Sequence, residues 1–166
     1  MKLILETPRL YLREITPDDA ENAYNLNKDR EVIKYTGDDA FESVAAARAF
    51  LENYKDYKQY GYGRWAVVLK DNDTFLGWCG LKYNADIDEV DLGYRFAQQY
   101  WGKGYATESA KACLEYGFGK LNLTSIIARA NHENTASINV MKKLGMQFDK
   151  TGDFCGGNAV QYRISK

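Results

Sequence analysis

Two prolines, one histidine and three cysteines are all that this 166-residue chain contains of those types. So little proline excludes a Pro-rich disordered tail. The cysteines, Cys79, Cys113 and Cys155, form no C-x-x-C pair, and His132 is the single histidine. A Cys/His zinc site and a secreted disulfide framework are therefore both disfavoured, and no metal is expected. No apolar run approaches the ~20 residues of a membrane span. The opening residues meet Glu6 and then Pro8 before a signal-peptide core can form. An excess of one charge is missing too: 22 basic against 23 acidic residues leave a net charge of -1, which gives no general field for nucleic acid. The expectation is a cytoplasmic protein, monomer or homodimer, with neither nucleic acid nor membrane as partner.

What is present suits a globule. Hydrophobic residues make up 45% and charged residues 27%. The length predicts one domain over residues 1–166 with no need of a disulfide or metal staple. Thirteen tyrosines suggest amphipathic surfaces, and 14 glycines suggest backbone that comes close to something.

Tyr11 to Ile15 reads as a strand. Thr16-Pro17-Asp18-Asp19 then starts a helix through Ala20, Ala23, Tyr24 and Leu26, with Thr16 as cap and Pro17 at the first position. A second helix is expected over residues 43–60, ended by Gly61-Tyr62-Gly63. Residues 65–69 and 75–81 flank Asp71-Asn72-Asp73-Thr74 and read as a hairpin. Val90, Leu92, Tyr94 and Phe96 share one face of the next strand. Helix, strand, helix and two weaker strands follow, over residues 104–118, 125–130, 134–144, 146–149 and 159–164. The order predicts a mixed α/β domain with a helix linking two parallel strands.

The segment richest in chemistry is Gln99-Tyr100-Trp101-Gly102-Lys103-Gly104-Tyr105-Ala106-Thr107-Glu108, between a strand and a helix. Gly102 and Gly104 let the backbone approach a ligand, the amides at the helix start favour a phosphate or diphosphate, and Lys103 adds a mobile cation. A glycine-rich helix entry without a ligand is the alternative. The segment is not a Walker loop and not a dinucleotide fingerprint, since neither glycine pattern is present.

Gln99-x-x-Gly102-x-Gly104-x-Ala106 resembles the acetyl-CoA signature of the GNAT N-acetyltransferases. Thr7-Pro8-Arg9-Leu10-x-Leu12-Arg13 with Asp19-Ala20, and Asn131-x-x-Asn134-x-x-Ser137 with Lys143-Leu144-Gly145-Met146, resemble the RimJ/RimL-type branch. The resemblance implies a fold of class α/β (mixed α+β): a curved mixed sheet of six or seven strands with about four helices. Two central parallel strands, here residues 90–96 and 125–130, would splay to admit acetyl-CoA. It implies that Tyr94, Arg95 and Phe96 meet the cofactor mainly through backbone. The diphosphate would lie on Gly102, Lys103, Gly104, Tyr105 and Ala106, with Gln99, Trp101, Thr107, Asn131, Asn134, Ser137 and Lys143 as further cofactor contacts. The implied activity is direct acetyl transfer to an amine, first of all the α-amine of a protein or peptide N-terminus, with small-molecule amines as the alternative.

Ser137 is the leading group to protonate the thiolate, because Val140, Met141 and Lys142 stand where many family members carry a tyrosine. It also reads simply as a residue in the first turn of a helix capped by Asn134, and Asn134 reads as cap, ligand or both. Asp91, on the face opposite Tyr94, reads as a base with a raised pKa or as a solvated charge. Asp153 is a poor substitute for the acid this branch draws from its C-terminal segment. The tyrosines at 54, 57, 60 and 62 read as an acceptor lining or as an amphipathic helix face. Two rival classes stay open, a non-catalytic acyl-CoA-binding module and a nucleotide-binding domain.

Overall fold

A computed structural model of the chain describes residues 1–154 and 157–166, so the expectation of an exposed Cys155 falls outside the described residues. The strands are β1 (Leu3–Glu6), β2 (Leu10–Glu14), β3 (Arg64–Leu69), β4 (Thr74–Asn84), β5 (Glu89–Phe96), β6 (Ser125–Asn131), β7 (Gln147–Phe154) and β8 (Gly157–Ser165). They form one sheet in the order β1-β2-β3-β4-β5-β6-β8-β7. Every neighbouring pair is antiparallel except β5 with β6. The helices are α1 (Ala20–Lys28), α2 (Arg30–Ile33), α3 (Val44–Glu52), α4 (Asp56–Tyr60), α5 (Tyr105–Gly119) and α6 (Thr135–Lys143). The right-handed crossover expected of parallel neighbours is α5, which links β5 to β6.

Alternation sorts the sheet into two faces. Leu10, Leu12, Trp65, Leu81, Phe96 and Ile126 lie on one, packed under α5 and α6 with Cys113 and Met141 in the main core. On the other face, Ala20, Ala23, Ala47 and Leu51 of α1 and α3 pack around Trp78. That second layer lies against the β4 side of the sheet. Beyond it, β5, β6, β8 and β7 present a polar face.

The sheet has more strands than the six or seven expected. Leu3–Glu6 folds back as its own strand because the Thr7-Pro8-Arg9 turn closes on it, with the Thr7 N–H donating to the Leu10 carbonyl at 2.9 Å. The second helix also breaks. The Asn53 side chain donates to the Ala49 carbonyl at 2.8 Å and ends α3. The break turns two tyrosines inward. The Arg64 N–H donates to the Tyr54 hydroxyl at 2.9 Å, and the Tyr57 hydroxyl donates to the Arg64 carbonyl while accepting from the Ile15 N–H at 3.0 Å. Burial pushes the Tyr54 phenol up to about 12 and Tyr57 higher still. These two phenols fasten the end of α3 and the start of α4 to Arg64 of β3 and to Ile15, just past β2, and their oxygens are spent on backbone rather than on a cleft.

Candidate active site

β5 and β6 share a single registered pair, Asp91 with Ile127. β4 stays paired with β5 as far as Phe96, and β8 stays paired with β6 as far as Asn131. Past Asp91 the two parallel strands therefore diverge, and their facing edges have no ladder partner in each other. Backbone donors and acceptors left this way demand something else to bond.

The loop after β5 supplies a second set of open donors. Gly102 and Gly104 hold φ of 73° and 82°, a region other residues reach only with strain, and Gly104 caps α5 from there. The N–H groups of residues 102–107 donate to no acceptor among the described residues; the Glu108 N–H is the first of α5 to be satisfied, by the Gly104 carbonyl at 3.0 Å. Six consecutive amides at the positive end of a 15-residue helix form a cradle for an anion. Lys103 is exposed beside it, Trp101 is tied back by donating its indole N–H to the Phe96 carbonyl at 2.8 Å, and Gln99 lines a cleft with Asn22 and Asn25 of α1.

This loop is held from the far end of the sequence. Glu108, in the first turn of α5, accepts from the Thr7 hydroxyl at 2.6 Å, the Arg9 N–H at 3.0 Å and Arg9 Nε at 2.7 Å. Arg9 also donates to the Lys103 carbonyl at 3.0 Å and lies 4.4 Å over the Tyr105 ring. Burial pushes the Glu108 carboxyl up, but the bonds from Thr7 and Arg9 outweigh it and hold the group below the usual range. Thr7 and Arg9 belong to a sequence block recognisable by resemblance, yet nothing in the sequence pairs them with Glu108.

At the other side of the gap, Asn134 caps α6 by accepting from the Ser137 N–H at 3.2 Å, and Asn131 accepts from the Glu133 N–H at 2.9 Å. The Tyr94 hydroxyl lies 2.9 Å from Ser137 Oγ and 3.1 Å from the Ser137 carbonyl. Tyr94 thus reaches across to α6 with its side chain, a contact additional to the mainly backbone role expected of it. Burial raises its pKa, partly offset by the bond to Ser137, so it stays a neutral phenol at physiological pH. Lys143 is exposed in the last turn of α6, ~9 Å along the helix from Ser137, and is not part of this group.

The opposite face of β5 carries Asp91, Gly93 and Arg95. Arg64 lies across Gly93, where a Cβ would collide with its guanidinium, and donates to Asp91 Oδ1 at 2.5 Å. Asn84 adds a bond to Asp91 Oδ2 at 3.0 Å. Burial raises the Asp91 pKa, but the Arg64 charge and hydrogen bond outweigh it and the net shift is downward. The raised pKa expected of a base is therefore not found. Arg95 turns its side chain away from the gap, donating to Asn27 Oδ1 at 2.5 Å and Asp38 Oδ2 at 2.7 Å. Asp153 sits one position from Phe154 and so on the opposite side of β7 from it.

An open mixed sheet parted at one parallel pair, with an anion cradle at the following helix, defines an acyl-CoA-dependent transferase scaffold. The acetyltransferase (GNAT) domain family matches residues 9–147. An uncharacterized N-acetyltransferase p20 of Bacillus licheniformis is 33% identical over 145 residues, 86% of this chain and 82% of that protein. A spermidine N(1)-acetyltransferase of Escherichia coli strain K12 is 28% identical over 143 residues, 83% of this chain and 73% of that protein. The crystal structure of a GNAT-family acetyltransferase from Bacillus anthracis superposes with a TM-score of 0.82 at 29% identity, over 99% of this chain and 98% of that one. The chain belongs to the GNAT acetyltransferase family and is an acyltransferase.

Proposed function

We propose that the chain moves the acetyl group of acetyl-CoA directly onto the α-amine of a protein or peptide N-terminus, as a RimJ/RimL-type enzyme. The observation that carries the cofactor half is the run of six unpartnered amides, residues 102–107, beside the parted β5 and β6. Those amides, with Lys103, would hold the diphosphate. The free edges near Tyr94, Arg95, Phe96 and Asn131 would hold the amide chain of the pantetheine arm, and Asn134 and Ser137 face its end. Acetyl-CoA supplies an activated thioester; the remaining requirements fall on the protein. The register with β4 turns the Arg95 backbone away from the gap, so the N–H of Phe96, aimed at the thioester carbonyl, would stabilise the charge that grows on its oxygen. Ser137 Oγ donates the proton that the departing thiolate takes and is reprotonated, through water, by the proton the amine nitrogen loses as the C–N bond forms and the C–S bond breaks. Tyr94 has one hydrogen and two acceptors on Ser137; given to Oγ, it leaves the serine hydrogen free to point at sulfur.

The acceptor half rests on proton chemistry. Asp91 and Asp38 accept from Arg64 and Arg95, and Glu89 and Asp149 both accept from Arg163. A carboxylate stabilised by an arginine is a weak base, and in this reading Asp91 anchors Arg64 rather than taking the proton. An acceptor that reacts without a strong base must offer an appreciable neutral fraction. An α-amine, with pKa ~8, is roughly one tenth neutral at pH 7; a lysine, at ~10.4, is neutral in fewer than about one molecule in a thousand. The spermidine acetyltransferase relative acts, by its name, on a polyamine. A polyamine wants unspent carboxylates, and Asp91, Asp38, Glu89 and Asp149 each already hold an arginine. The test is acetyl-CoA turnover on peptides with a free α-amine, N-blocked lysine peptides, spermidine and aminoglycosides. The peptides with a free α-amine should be the best substrates, with a rate that is half-maximal at pH ~8 and levels off about a unit above it; exclusive turnover of spermidine or lysine would refute the reading.

A further inference from the structure

α5 and α6 cover one face of the gap between β5 and β6, so an acceptor reaches the thioester from the other face. Four arginines stand on that face. Arg64, Arg95 and Arg163 each donate to a carboxylate. Arg129 does not. It lies two positions past Ile127 on β6, on the same side, at the point where the strands part. Its Nε donates to Gln161 Oε1 at 2.8 Å, and its guanidinium carbon is 3.9 Å over the Phe154 ring. Gln161 is 1% exposed and is itself fixed by donating to Asp149 at 2.8 Å. The two terminal nitrogens of Arg129 bond to no described residue, and the side chain is half-buried. A guanidinium stacked and bonded on one edge, with no described partner on the other, is preorganised for a carboxylate.

We infer that Arg129 recognises the acceptor, and that it selects α-amines with a carboxylate close by, such as an N-terminus whose second residue is acidic. The inference rests on the α-amine reading above. It follows from the bonding capacity left over on this face: Asp91, Asp38, Glu89 and Asp149 each accept from an arginine, Glu89 and Asp149 sharing Arg163, and the outer edge of Arg129 has no described partner. An anionic acceptor gains a bidentate partner there, whereas a cationic one finds no carboxylate without an arginine among these four.

The test uses three peptides, Ser-Asp-Phe amide, Ser-Asn-Phe amide and Ser-Lys-Phe amide, with the wild type, Arg129→Gln and Arg129→Lys. A charged hydrogen-bonded contact predicts that the wild type favours the aspartyl over the asparaginyl peptide roughly tenfold to a hundredfold in kcat/KM, mainly through KM. Arg129→Gln should bring that ratio to within about twofold, and Arg129→Lys should fall between. Melting curves with CoA check that both variants fold. Should Arg129→Gln fail to fold, the Lys variant and a wild-type preference that shrinks with salt carry the decision. A wild-type ratio near one, or a preference that survives Arg129→Gln, overturns the inference while leaving α-amine transfer standing. If all three peptides are inert and spermidine or a lysine peptide is acetylated, the α-amine reading itself falls, and this inference with it.

Discussion

Replacing Glu108 by alanine should weaken both the fold and the grip on CoA, although Glu108 need not touch the cofactor. Its carboxylate receives three hydrogen bonds from the β1–β2 turn. The Arg9 side chain is 44% exposed, so its ion pair contributes at most about 1 kcal/mol. The bonds from the Thr7 hydroxyl and the Arg9 N–H contribute about 1 kcal/mol each. Because all three share one carboxylate they do not add fully, and a loss of about 2–3 kcal/mol is expected, or a fall in Tm of about 4–12 °C for a domain of this size. Freed from Arg9, the loop over residues 102–107 must be ordered by the ligand itself, which should cost about tenfold in CoA affinity, equivalent to about 1.4 kcal/mol. Scanning fluorimetry gives the first number and titration calorimetry the second. The folded-state pKa of Glu108 is depressed, so its contribution is complete above the unfolded value of ~4.3 and disappears as pH falls through the lower folded value. The Tm gap between wild type and variant should therefore narrow in acid. A Glu108→Ala protein that melts like the wild type, or binds CoA equally well, would show that the turn does not brace the loop.

Ser137→Ala should lower kcat by about a hundredfold with little change in CoA affinity, and Tyr94→Phe by less. The double variant should be no worse than Ser137→Ala if the phenol works through the serine; additive losses in a stopped-time assay would separate the two roles. Asp91→Asn should leave the pH–rate profile in place while lowering Tm, because it strips Arg64 of its partner without touching a titrating base. A shifted acid limb would restore Asp91 as the base. Gly104→Val places a β-branched residue at a φ of 82°, so calorimetry should find CoA binding severely weakened in a protein whose far-UV spectrum is unchanged.

Local signals carried much of this molecule. The alternation of Val90, Leu92, Tyr94 and Phe96 was enough to orient β5, and Gly102 and Gly104 were enough to locate a backbone cradle, because both depend on neighbours in sequence. The pairings that give the site its character do not. Tyr94 and Ser137 are 43 positions apart, and Arg64 and Asp91 are 27 apart. Without knowledge of Arg64, Asp91 reads equally well as a base or as a surface charge, and one guanidinium reverses the expected direction of its pKa. The break after α3 was hidden for a similar reason: alanine-rich residues 44–52 favour helix, and the bond of Asn53 back to Ala49 that ends it is backed by distant bonds, Tyr54 to Arg64 and Tyr57 to Ile15. The extra strand at the start was masked by its brevity, since four residues become a strand only when a neighbour accepts them.

The brace between the first hairpin and α5 joins groups 99 to 101 positions apart. Such a contact closes late, once most of the intervening chain is in place, because long loops are slow to find their ends. Ligand competence is thus acquired among the last events of folding and is given up among the first of opening. Loosening of the amino-terminal hairpin and escape of the coenzyme become one thermodynamic event, and amide exchange at residues 3–14 should slow when CoA is bound.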